Sequence, residues 1–223
     1  MTNRKVPFAP REYFHVYNRG NDKRQIFHDN SDYHHFLKLL FLANSENGFV
    51  IRDISKNIYS IDRGKQLVHI GAYCAMPNHF HLLVTSLKER GLSRFMQKFS
   101  TGLSMYYNTK HKRTGTLFEG RFKAEHVDQD TYLKYLFSYI HLNPVKLIQP
   151  DWKENGIKDS KTTKDYLRKY YFSSYLDYLN EQRPENLILN RASFPNYFRS
   201  KVSFEKEILD WISLKSTTEV RPL

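Results

Sequence analysis

The run Tyr73-Cys74-Ala75-Met76-Pro77-Asn78-His79-Phe80-His81-Leu82-Leu83-Val84-Thr85 decides how this chain is read. Met76-Pro77-Asn78 has turn chemistry, because proline presets φ and asparagine tolerates turn geometry. Apolar, aromatic and β-branched residues follow, the composition of a half-buried strand. Side chains alternate along a strand, so His79, His81 and Leu83 share one face while Phe80, Leu82 and Val84 share the other. Two strand rises put the histidines about 6.6 Å apart along the backbone. That spacing lets both imidazoles reach one divalent cation if another element completes the shell.

Working outward, Leu67–Cys74 is a strand that pairs with His79–Thr85 as a hairpin. Tyr13–Tyr17 reads as a first strand, with a turn at Asn18–Asp22. Ser31 is a candidate N-cap for a helix running to Asn44, with Phe36, Leu39, Leu40 and Ala43 at helical spacing. Gly91–His111 forms a long helix whose inner face is Leu92, Phe95, Met96, Phe99, Leu103 and Tyr106. Leu117–Val127 is the next strand, interrupted at Gly120. Residues 49–66 read as an insertion (about 51–65) with some strand character. The order β-α-β-β-α-β predicts an α+β, ferredoxin-like (split βαβ) antiparallel sheet with helices on one face. An open second face would be a common nucleic-acid site.

A third helix spans Thr131–Leu142, capped by Asp128 or Asp130, with Leu133, Leu136, Phe137 and Ile140 as its apolar stripe. Pro144 cannot continue it and biases Asn143 away from helical angles. The catalytic unit is expected over 8–147. A basic and aromatic C-terminal extension, 148–223, is expected to pack on it, including Tyr170–Tyr178 and a short helix Phe204–Ile212 around Trp211.

The 223 residues carry a formal charge of +12 and are 15% aromatic, which points to a polyanionic partner such as nucleic acid. Cys74 is the only cysteine, so an intrachain disulfide is excluded; it reads as a buried apolar residue. The segment Met1–Pro7 lacks the apolar core of a signal peptide, and no run of about 18 apolar residues occurs. A cytoplasmic protein without a membrane partner is expected.

Tyr139 and Asn143 lie one helical turn apart on the third helix. A phenol with a pKa of about 10 is a weak nucleophile at neutral pH and needs a polarised phosphate as target. Two neutral imidazoles and an amide oxygen make a modest cation site that suits Mn2+ and tolerates Mg2+. Tyr132 and Tyr135 on the same helix are competing nucleophiles, and Asn143 could simply end the helix. His141 points away from Asn143 and reads as a surface residue. Arg19, Arg121 and Lys123 are candidate phosphate contacts, as are Lys110, Lys112 and Arg113 at the end of the long helix.

Together, Met76–Leu83 and Tyr139-Ile-His-Leu-Asn-Pro-Val145 resemble the single-tyrosine HUH transposases of insertion sequences, above all the REP-associated tyrosine transposase branch. Tyr17-Asn-Arg-Gly20, Arg113–Lys123 and Phe172-Ser-Ser-Tyr175 extend the resemblance over residues 11–180. Phe118 and Phe172 stand where the family often has tryptophan, and the insertion is longer than usual. The resemblance implies an endonuclease and strand transferase acting on single-stranded or hairpin DNA. His79, His81 and Asn143 would hold Mg2+ or Mn2+, and Tyr139 would form a 5′-phosphotyrosine link. It leaves monomer and homodimer both open. Two other readings stand beside it: a binding-only derivative, and a metal phosphodiesterase that uses water.

Overall fold

The computed structural model describes residues 8–49, 51, 54, 57–198 and 200–213, with side chains described through residue 210. The readings of Met1–Pro7, of parts of the insertion (50, 52, 53, 55 and 56) and of the Trp211 side chain lie outside them.

Four strands, β1 (Tyr13–Arg19), β2 (Val68–Met76), β3 (His79–Ser86) and β4 (Lys123–Val127), form one sheet in the order β2-β3-β1-β4. Every neighbouring pair is antiparallel. Helices α1 (Asn30–Ala43) and α2 (Gly91–Lys110) connect β1 to β2 and β3 to β4. This is the ferredoxin-like order expected from the sequence. Alternation along β3 sends Phe80, Leu82 and Val84, with Phe14 and Val16 of β1, into a core shared with Phe36, Leu40, Phe95 and Phe99 of α1 and α2.

The second face is not open. Helix α3 (Asp130–Leu142) lies across it and buries Leu133, Leu136, Phe137 and Ile140 against Ala72, Cys74, Met76 and Leu83. Full burial of such side chains is worth about 1.5–3 kcal/mol each, which makes this a second core. Beyond α3 come α4 (Trp152–Asn155), α5 (Ser160–Lys169), α6 (Tyr175–Tyr178) and α7 (Lys201–Ser213). Tyr175, Tyr178, Phe194, Phe198 and Phe204 pack behind α3, so the late aromatics are packing residues. His141, read as a surface residue, is fully buried because both sides of α3 are covered.

Several local expectations shift. Asp29, not Ser31, caps α1, through a capping box with Asp32. Gln129 is the N-cap of α3, without a side-chain bond. Tyr107, rather than Tyr106, is the buried tyrosine of α2. Regular β4 begins only at Lys123, after Gly120 turns the chain at φ +148°. The described residues between 49 and 66 hold a 3-10 turn at Ile58–Ser60 and no strand. Asn143 keeps helical angles (φ −50°, ψ −41°), and Pro144 opens a 3-10 turn, Asn143–Leu147, where its missing N–H costs nothing.

Strand β2 is an edge strand, and the C-terminal segment covers it. Cys74 bridges Ser173, Ala75 N–H donates to the Phe172 carbonyl at 3.0 Å, and Ser174 N–H donates to the Tyr73 carbonyl at 2.9 Å. The Arg183 guanidinium pairs with buried Asp177 and donates to the Tyr171 and Ser173 carbonyls, which fastens the segment. A register shift between Ile70 and Ala72 places Gly71 in a bulge. Before it, Val68 and Ile70 face the α1–α2 core; after it, Ala72, Cys74 and Met76 face α3. A Cβ at Gly71 would lie 2.8 Å from the Phe194 ring. Gly71→Ala should therefore lower stability by about 1–3 kcal/mol in urea titrations, with Phe194→Leu in the same chain recovering part of the loss. An unchanged midpoint in Gly71→Ala would contradict this packing.

Candidate active site

A cleft of about 1130 Å³ opens where β1, β3, the Pro77-Asn78 turn, the Gly120–Lys123 stretch and the end of α3 meet. His79, His81, Tyr139 and Asn143 all line it, brought together from one chain although some sixty residues separate the two pairs. The His81 and Tyr139 rings stand nearly perpendicular, 5.4 Å between centroids, and the His79 and His81 rings are 5.1 Å apart. Tyr132 and Tyr135 do not line the cleft: Tyr132 OH reaches Glu125 at 3.5 Å and Tyr135 stacks on Tyr139. Of the three tyrosines on α3, only Tyr139 is therefore placed to meet a ligand there.

Each candidate metal-binding side chain has one polar atom already engaged. His79 Nδ1 bonds Asn78 Oδ1 at 2.6 Å, and His81 Nδ1 bonds His15 Nε2 at 2.9 Å. In both rings Nε2 is the nitrogen left for a ligand. Asn143 Nδ2 donates to the Tyr139 carbonyl at 3.1 Å, which leaves Oδ1 as the available acceptor. The Asn143 amide also lies close enough to act on both neighbours, raising the pKa of His79 and lowering that of Tyr139. Among the described residues no group of three His, Cys, Asp or Glu side chains is placed to hold a metal. The fit is instead two imidazoles and an amide oxygen.

The motif Tyr17-Asn-Arg-Gly20 supports the turn that carries His79. Gly20 N–H donates to the Asn78 carbonyl at 2.8 Å, and Ile26 N–H donates to the Pro77 carbonyl at 2.8 Å. Three contributors were not visible as site residues in the sequence. His15 sits on β1 between Tyr13 and Tyr17, orients His81, and leaves its own buried Nδ1 4.0 Å from Glu125. Tyr17 OH donates to that same carboxylate at 2.8 Å. Lys153 donates to the Tyr139 hydroxyl at 3.0 Å. A polar residue between strand aromatics was the only signal for His15. Nothing marked Lys153, fourteen residues beyond Tyr139.

Six cations line the cleft (Arg19, Lys23, Arg121, Lys123, Lys146 and Lys153) against two carboxylates, Glu119 and Glu125, so its field favours an anion. Arg19 is held by a bidentate pair with Glu119 at 2.8 and 3.0 Å. Lys110, Lys112 and Arg113 lie outside the lining. Lys110 bonds Asp29, Ser31 and Asp32 across the start of α1, and the Arg113 guanidinium lies 5.6 Å from the centre of the Tyr107 ring.

Desolvation is the largest cause in every site shift. It pushes His15 and His79 down to about 3 and 4, His81 well below its ordinary value, and Tyr139 up to about 12. His141, bonded to the Phe137 carbonyl and Ser174 Oγ, falls to about 3 for the same reason. These folded histidines stay neutral where unfolded ones, with pKa near 6.5, take up protons. The unfolded state then binds more protons below about pH 6.5, so stability falls on acidification and is flat above about pH 7. Each histidine should contribute a slope approaching about 1.4 kcal/mol per pH unit. Urea midpoints measured from pH 8 to pH 4 should show this, and a level profile from pH 7 to pH 4.5 would contradict it.

A family profile described as "Transposase IS200 like" matches residues 11–143, more than half of the chain. No curated protein matches the chain. Among solved structures, a REP-associated tyrosine transposase bound to a REP hairpin is similar over 90% of this chain and 93% of that one, at 14% identity and a TM-score of 0.48. A tRNA(His) guanylyltransferase from Saccharomyces cerevisiae is similar over 87% and 85%, at 11% identity and a TM-score of 0.36. The profile takes in the two cleft histidines, Tyr139 and Asn143, and the chain belongs to the IS200-like transposase family.

Proposed function

We propose that the chain cleaves and rejoins single-stranded or hairpin DNA through Tyr139, with Mg2+ or Mn2+ held by His79, His81 and Asn143. The observation that carries this is the shared orientation. Nδ1 of both histidines and Nδ2 of Asn143 are engaged, so two nitrogens and one oxygen remain available beside the only α3 tyrosine in the cleft. When bound, the cation would neutralise a phosphate and polarise its phosphorus toward attack. His15 would act on His81 as an outer-shell orienter.

Tyr139 Oη attacks the phosphodiester phosphorus and the bond to the 3′-oxygen breaks, leaving a 5′-phosphotyrosine and a free 3′-hydroxyl. Attack by a 3′-hydroxyl on that link reverses or exchanges the join. Arg121, Lys123 and Lys146 line the cleft and hold the backbone. Burial serves the chemistry by excluding water from the phosphotyrosine. All the proposed groups come from one chain, so a monomer suffices for the cleavage step.

The test is a denaturing gel with labelled hairpin oligonucleotides bearing single-stranded arms, in Mn2+. The unsubstituted chain should give an adduct that survives denaturant and requires the metal. Tyr139→Phe should abolish it while leaving salt-dependent binding within about threefold. Cut DNA without attached protein would favour water as nucleophile, and salt-sensitive binding without cleavage would favour the binding-only reading. Calorimetric titration with Mn2+ provides an independent check. His81→Gln should remove the site, and His15→Phe should weaken it about 10- to 100-fold. Unchanged Mn2+ affinity in His81→Gln would end the metal assignment.

A further inference from the structure

Helix α4 lies beyond the residues that match the family profile, yet it delivers a side chain to the centre of the site. Trp152 is buried in the second core. The turn before it is braced by Gln149, whose N–H donates to the Val145 carbonyl at 2.8 Å and whose Nε2 donates to the Gly156 carbonyl at 2.6 Å. Between these anchors Lys153 is directed inward. Its Nζ lies 3.0 Å from Tyr139 Oη and 4.4 Å from the centre of the Tyr139 ring.

Two features separate Lys153 from Lys110 and Lys158. Lys110 and Lys158 each reach a carboxylate, whereas the hydrogen bond of Lys153 goes to the phenol. Lys153 is also half-buried, and desolvation lowers its pKa while it raises that of Tyr139. Burial thus disfavours the charged form of each partner, the ammonium and the phenolate. Lys146 and Glu125 line the same cleft, His15, His79 and His81 feel the charge of Lys153, and Glu154 beside it on α4 raises its pKa. Cys74 and Glu125 each raise the pKa of Tyr139. A neutral amine suits this setting better than an ammonium, because its hydrogen-bond partner is a phenol and not a carboxylate and desolvation disfavours the charged form.

Resting on the reading of Tyr139 as nucleophile, we infer that Lys153 is its proton partner and a catalytic residue of both half-reactions. In cleavage, neutral Nζ takes the phenolic proton as the Oη–P bond forms. The P–O3′ bond breaks, and the departing 3′-oxygen, on the opposite side of phosphorus, takes its proton from solvent. In joining, a 3′-hydroxyl attacks and loses its proton to solvent. The P–Oη bond breaks, and the Lys153 ammonium returns a proton to Oη. General acid–base partners of this kind contribute about 10²- to 10⁴-fold.

The experiment is single-turnover adduct formation from pH 6 to pH 10. It uses a pool of labelled hairpin oligonucleotides with randomised single-stranded arms, in Mn2+, with binding measured separately by fluorescence anisotropy. The unsubstituted chain should show a rate that rises with pH and levels off. Lys153→Met should be slower by about 10²- to 10⁴-fold, with binding within about threefold and no plateau in its pH profile. Lys153→Arg stays protonated, with a pKa above about 12, so it cannot accept the phenolic proton and should be as slow. Added methylamine should speed Lys153→Ala, which covers the case in which the methionine variant folds poorly. A fast Lys153→Arg, or a fast Lys153→Met with an unaltered profile, overturns the inference while leaving Tyr139 as nucleophile. Absence of any adduct from the unsubstituted chain overturns the nucleophile reading and this inference with it.

Discussion

Strand β3 is buried on both faces, and the rest of the molecule follows from that constraint. Phe80, Leu82 and Val84 need one apolar layer, supplied by α1 and α2. Leu83 and the neighbouring Ala72, Cys74 and Met76 need a second, supplied by α3. Placing α3 there brings Tyr139 and Asn143 to the end of β3 that carries His79 and His81. The apolar packing that stabilises the second core is therefore the same packing that assembles the polar site.

That coupling sets the electrostatics. Imidazoles at the margin of an apolar layer are driven toward their neutral form, the form that can coordinate a cation or accept a hydrogen bond. The cost is acid sensitivity and a phenol whose proton is held tightly. Polar groups so enclosed need fixed partners. Asn78, His15 and the Tyr139 carbonyl supply them, each engaging the atom that would not bind a ligand.

The C-terminal segment belongs to this arrangement as well. It covers the β2 edge through Phe172–Ser174, places Ser174 against His141, and fills the bulge at Gly71 with Phe194. The Phe172-Ser-Ser-Tyr175 motif is thereby explained as a fastening of α3 to β2. Lys153 reaches the site because α4 is pinned by Trp152 within the same layer.

Period-two alternation in β3, helical stripes in α1–α3 and the β-α-β-β-α-β order were all legible in the sequence, because each is a local pattern with a direct physical cause. The pairs His79/His81 and Tyr139/Asn143 were legible for the same reason: each is set by spacing within one element. What the spacing could not express was the environment. His141 read as exposed because one helix pattern does not reveal that a second layer covers its other side. His15 and Lys153 were silent because their roles depend on contacts 66 and 14 residues away in sequence. Lys110 reads in sequence as a candidate phosphate contact, whereas in the fold the start of α1 engages it through Asp29 and Asp32. Local periodicity thus determined the strands, the helices and the chemistry each could carry. Tertiary burial alone decided which groups are neutral, which atoms are engaged and which lysine meets the tyrosine, since desolvation and contact are properties of the packed chain.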